Sequence, residues 1–115
     1  MATVTSFDEL DGHEAVRRFE GRDHGSSVSG FLVLAAPPGS GPVLHRHPYD
    51  ETFFVLEGRA TFTVDGETVE ASAGRMLVAP ANAPHRFVNS GDGPLRMVTV
   101  HASDHIEQED LDEAG

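Results

Sequence analysis

Apolar residues along this chain come in short bursts, not in stripes with a 3.6-residue helical period. Runs rich in Val, Phe, Leu and Thr are broken by Gly, Pro, Asn and Asp, the pattern of many short strands. The segment 59–72 shows it best. Ala60, Phe62 and Val64 alternate with Thr61 and Thr63, Asp65-Gly66 supplies a two-residue turn that tolerates positive φ, and Val69 and Ala71 resume the alternation on the way back. The same reading predicts strands over 27–36, 52–57, 75–79, 85–89 and 95–101. It predicts a first, edge strand over 15–20, and a loop or single helical turn over 7–15. With no helical crossover between strands, an antiparallel sandwich or closed barrel is expected.

Length and charge refine this picture. A chain of 115 residues fits one domain with one core. The reading divides it into an N-terminal arm (1–26), a β-barrel (27–103) and an acidic tail (104–115). That tail holds six of the nineteen acidic residues, so it is expected to be solvated and mobile. Nineteen acids against eight bases give a formal net charge of −11, which argues against nucleic acid and anionic lipid as partners. No apolar run approaches the roughly 20 residues that span a bilayer. The first ten residues lack the features of a signal peptide, so a cytoplasmic location is expected. Cysteine is absent, which excludes disulfides and thiolate metal sites.

Any transition metal must therefore be held by His, Asp or Glu. Residues 45–51 read HRHPYDE. In extended backbone His45 and His47 share a face. Pro48 favours a bend that can return Glu51 to the same cavity, although three polar side chains on a loop is the plainer alternative. His85 opens the strand at 85–89 after a turn set by Pro80 and Pro84, with Asn82 able to take a left-handed conformation. Three imidazoles and a carboxylate suit one divalent first-row ion: Fe, Mn, Ni, Cu or Zn. His13, His24, His101 and His105 read as surface residues. Arg46 and Arg86 each adjoin a candidate ligand, so alternation points them outward.

The full spacing resembles the cupins, small single-domain members above all. The first cupin motif is matched by Gly39, His45, His47, Glu51 and Gly58 at every interval. The second is matched by Gly74, Pro80, His85 and Asn89, with Asn82 where the family has Gly. The resemblance implies an all-β, antiparallel jelly-roll barrel open at one end. It implies a metal held by His45, His47, Glu51 and His85, a structural Asn89, and often a homodimer formed through edge strands.

Tyr49, Phe53, Phe62, Phe87 and Met97 are candidates to line the substrate pocket. For each of them a place in the barrel core is an equal alternative. Four protein ligands would leave about two positions of an octahedral ion open to substrate, water or O₂. The expected function is a metal-dependent enzyme acting on a small organic molecule, either a dioxygenase or an isomerase or cyclase using the metal as Lewis acid. The alternative is a non-catalytic small-molecule-binding or sensor module.

Overall fold

The computed structural model describes residues 2–112, so residues 113–115 of the predicted tail lie outside the described residues. Eleven strands follow in order: Asp11–Gly12 (β1), Val16–Phe19 (β2), Ser29–Ala36 (β3), His45–Arg46 (β4), Glu51–Glu57 (β5), Arg59–Val64 (β6), Glu67–Ser72 (β7), Met76–Ala79 (β8), His85–Asn89 (β9), Leu95–His101 (β10) and Glu109–Asp110 (β11). Among the described residues helical structure is limited to the short 3-10 turns Phe7–Glu9 and Gly21–Asp23. Among the described residues no helix is long and apolar enough to cross a membrane.

All pairings are antiparallel, and they form two sheets. One runs β1-β2-β3-β10-β5-β8 and the other β11-β4-β9-β6-β7. The antiparallel jelly roll is as expected; among the described residues no ladder joins the two sheets, so of the sandwich and the closed barrel it is the sandwich that forms. All seven prolines lie in the segments between strands. The predicted edge strand also differs: β2 pairs with β3 on one side, and on the other Arg17 and Arg18 face the two-residue β1.

Two-residue alternation builds the core. On β5, Phe53 and Val55 point inward while Phe54 and Leu56 are exposed; on β10, Leu95, Met97, Thr99 and His101 are all buried. Phe53 from one sheet meets Phe62 from the other edge-on, with centroids 5.1 Å apart, and Phe62 pairs across strands with Phe87. Phe62 and Met97 are fully enclosed in this core.

Turn chemistry fixes the registers. Asp65 and Gly66 take φ of 52° and 82°, so the β6–β7 hairpin forms where its sequence predicts. Asn82 takes φ 68°, the left-handed conformation its position demands. Gly58 sits at φ 88°, and a Cβ there would lie 2.7 Å from the Pro94 carbonyl oxygen. Asn89 closes the same end. Its side-chain amide donates to the carbonyls of Ala36 and Gly93, both at 2.9 Å, while its Oδ1 accepts from the Gly91 amide. Asn89→Ala would remove this donor from the buried Ala36 carbonyl and from the carbonyl of exposed Gly93, and we expect it to cost about 1–3 kcal/mol in urea denaturation.

Candidate metal centre

Four elements deliver polar side chains to one end of the jelly roll. His45 lies on β4 directly opposite His85 on β9, and Glu51 opens β5 opposite His101, the last residue of β10. Between β4 and β5, Pro48 to Asp50 make the bend. The Ala81 amide donates to Asp50 Oδ1 and the Asn82 amide to the His47 carbonyl, which ties the bend to the Asn82 turn. The result brings His45, His47, Glu51 and His85 together. All four are buried, and one ligand atom from each lies within 4.8 Å of the others.

Each of the three imidazoles is oriented by a backbone carbonyl. Nδ1 of His45 donates to Val43 O at 2.7 Å, Nδ1 of His85 to Ala83 O at 2.9 Å, and Nδ1 of His47 to Glu107 O at 2.7 Å. A carbonyl can only accept, so these bonds put the proton on Nδ1. In the neutral rings Nε2 is left as a lone pair. His85 Nε2 then lies 3.0 Å and His47 Nε2 3.2 Å from Glu51 Oε1. His47 Nε2 is buried with no hydrogen-bond partner among the described residues. Lone pairs facing a carboxylate at this range require a cation between them, either extra protons or a metal ion. This donor set fits a divalent first-row ion.

The other Glu51 oxygen is held separately. His101 Nε2 lies 2.9 Å from Oε2, and Tyr49 Oη lies 2.7 Å from His101 Nδ1. The expectation of a surface His101 is therefore corrected: it is fully enclosed and grips Glu51. A signal for this was available, because His101 continues the inward phase of Leu95, Met97 and Thr99. Tyr49 stacks on the His47 ring at 5.1 Å and 7°. Burial pushes its phenol up to about 12, so it remains a hydrogen-bond donor.

The tail departs from expectation too. Its described part is not a free, solvated arm. Glu109–Asp110 pairs with His45–Arg46, the Leu111 amide donates to Leu44 O at 2.9 Å, and Arg46 bridges Glu109 at 2.7 Å. Backbone hydrogen bonds hold this segment, and its charged side chains give no hint of them. Arg46 is exposed as expected, whereas Arg86 is half-buried. His24 is exposed and His105 half-buried beside Asp104.

Next to the cluster lies a cavity of about 510 Å³, walled by Val33, Phe31, Phe53 and Phe87, with His45 and Glu51 at its polar end. Exposed His13 stands on its wall. Of the residues expected to line a pocket, Phe53 and Phe87 do so. Phe62 and Met97 belong to the core instead, and Tyr49 faces His101 and Glu107.

An open antiparallel jelly roll with three imidazoles and a carboxylate buried at one end defines a class of β-proteins that could bind a metal. The family model described as "Cupin domain" matches residues 32–101, and the chain belongs to that family. A polyketide synthase protein, CurC of Streptomyces cyaneus, is 45% identical over 74 residues, covering 63% of this chain and 48% of that protein. Quercetin 2,3-dioxygenase of Bacillus subtilis is 38% identical over 60 residues, covering 50% of this chain and 18% of the enzyme. A Bacillus subtilis oxalate decarboxylase structure, studied for its Mn(II) centres, superposes with a TM-score of 0.75 at 26% identity. It covers 89% of this chain and 29% of that one. The chain thus spans about half the length of CurC and smaller shares of the other two.

Protonation couples to stability here. Burial lowers the proton affinity of His45 below its ordinary value of 6.5, outweighing the bond to Val43. Burial would raise Glu51, but the contacts with His101, His47 and His85 outweigh it and hold the carboxyl well below its ordinary value of 4.5. For both groups the unfolded chain binds protons more readily, so stability rises with pH. The His45 contribution is present above 6.5 and lost as pH falls below it. The Glu51 contribution is present above 4.5 and lost as pH falls further, through its depressed folded-state value. Thermal melts of metal-free protein between about pH 8 and about pH 4 should show a falling midpoint on acidification, with the upper part of the slope missing in His45→Gln.

Proposed function

We propose that this chain is a metal-dependent enzyme acting on a small, oxygen-bearing organic molecule, with His45, His47, Glu51 and His85 holding one divalent first-row transition ion. The observation that carries this reading is the convergence of Nδ1-anchored imidazoles on Glu51 beside an apolar cavity. A divalent ion in that position supplies Lewis acidity, or a one-electron partner for O₂, to a substrate oxygen brought against it. Mn(II) is the first ion to test, given the Mn(II) centres of the oxalate decarboxylase.

The chain's own residues define the rest. Phe31, Phe53 and Phe87 offer aromatic walls to a planar substrate and exclude water from the polar end. Four backbone-or-side-chain-anchored donors hold the ligand geometry without rearrangement. The cavity wall offers little acid–base chemistry of its own beyond His13, so the reaction belongs at the ion. The acidic surface and apolar walls disfavour a small dianion such as oxalate, despite the resemblance to a decarboxylase. They favour a phenol or 1,3-diketone, whose enol oxygen can approach an ion while the carbon skeleton packs on the rings. The relatives named for polyketide synthesis and quercetin oxygenation support that choice.

A second copy of this chain is the protein partner this reading favours. Edge-strand pairing was the expectation, but the outer face of the six-stranded sheet offers a better surface. Leu32, Val98, Phe54 and Met76 stand in one row across β3, β10, β5 and β8, flanked by Leu56 and Val78. Four of these side chains are exposed, between 40% and 57%.

Three experiments test these readings. Metal loading should be one ion per chain by elemental analysis, and saturation to 100 times Kd should add about 2.7 kcal/mol of stability. Turnover of quercetin or a 1,3-diketone under O₂ should require the ion. His47→Ala should reduce it by more than about 100-fold, the upper range for losing only a partner of a ligand. Saturable binding of such a molecule without turnover would assign the chain to the sensor class instead. In sedimentation, the unmodified protein should run as a pair of chains and Phe54→Lys as one.

A further inference from the structure

The described tail crosses the metal-facing end of the jelly roll and is fastened on both sides of Glu107. Before it, the Arg22 amide donates to Asp104 O at 2.8 Å and the Ile106 amide to Glu20 Oε1 at 3.1 Å. After it come the β11–β4 pairing, the Leu111–Leu44 bond and the Arg46–Glu109 ion pair. Between these anchors the Glu107 backbone does two things. Its carbonyl accepts from His47 Nδ1 at 2.7 Å, and its amide donates to Tyr49 Oη at 3.1 Å. Tyr49 in turn bonds His101, which holds Glu51 Oε2. One residue of the tail therefore sets, through its backbone, the orientation of His47 directly and of Glu51 through two side chains. Gln108 also reaches the wall of the apolar cavity.

We infer that segment 104–112 is a strap built into the metal site, with the backbone of Glu107 as a positioning element, so that strap docking and metal binding strengthen each other. This rests on the metal reading proposed above. Its physical basis is that a metal-bound imidazole depends on the partner of its other nitrogen for tautomer and ring orientation. Glu107 is the one such partner supplied from outside the jelly-roll motifs; Val43 and Ala83 lie two residues before the histidines they orient. Reciprocity follows from linkage: whatever the docked strap adds to metal affinity, the metal adds to strap docking.

The test uses the full chain and Mn(II). Leu111→Pro removes the amide bond to Leu44, and Tyr49→Phe removes the hydroxyl that Glu107 and His101 share while keeping the ring on His47. Calorimetric titration should show each variant binding Mn(II) about 10- to 100-fold more weakly than the unmodified chain. Glu107→Ala keeps the carbonyl and should bind within about twofold, as expected for loss of an exposed charge. Hydrogen exchange at amides 106–111 of the unmodified chain should slow when Mn(II) is added. Unchanged affinity in both Leu111→Pro and Tyr49→Phe, or exchange indifferent to Mn(II), would overturn the inference while leaving the metal site standing. Weakening by Glu107→Ala equal to that of Leu111→Pro would overturn the assignment to the backbone. If the unmodified chain bound no divalent first-row ion at all, the metal reading would fall and this inference with it.

Discussion

Glu51 is a carboxylate enclosed at one end of the jelly roll, and it must be kept ionised without water to solvate it. Burial by itself opposes that charge. Three histidines around it reverse the balance, His101 by donating to it and His47 and His85 once a proton or metal ion lies between their Nε2 atoms and Oε1, and each is held by a fixed partner: Ala83 O for His85, Glu107 O for His47, and Tyr49 for His101. The architecture near the site follows from this requirement. β5 must start where β10 ends so that Glu51 meets His101, and β4 must reach β9 so that His45 meets His85. The bend at 48–50 must then fold back far enough to put His47 and Glu51 on one cavity. A single register slip in any of these pairs would turn a ligand to the outside, because side chains change face at every residue.

Much of this was legible in the sequence because it rests on local rules. Alternation of apolar residues located β5, β6, β7, β9 and β10 to within a residue or two. Asp65-Gly66 announced its hairpin, and Asn82 its left-handed turn. The spacing of His45, His47, Glu51 and His85 brought out the four residues that now stand together. His101 was missed for a different reason. Its place beside an acidic segment suggests a surface residue, whereas its phase with Leu95, Met97 and Thr99 points inward. Phe62 and Met97 illustrate the opposite limit. Alternation gives the inward face but not the depth along the barrel axis, and depth decides whether a side chain meets the cavity or fills the core.

The acidic tail marks where composition stops being informative. Its side chains behave as their charges demand: Glu107, Gln108, Glu109 and Asp110 are all exposed. Besides the exposed Arg46–Glu109 ion pair, what binds it is backbone, through a two-residue ladder and the amide and carbonyl of Glu107, and every residue type except Pro carries both groups. The chemistry favours this arrangement. A carboxylate from the tail would also orient His47, but it would add a second negative charge beside Glu51 and raise the basicity of the ring. A peptide carbonyl fixes the same tautomer and leaves Glu51 as the only formal charge in the ligand set. The strap can therefore be rich in acids on its outer face and electrically neutral where it touches the site.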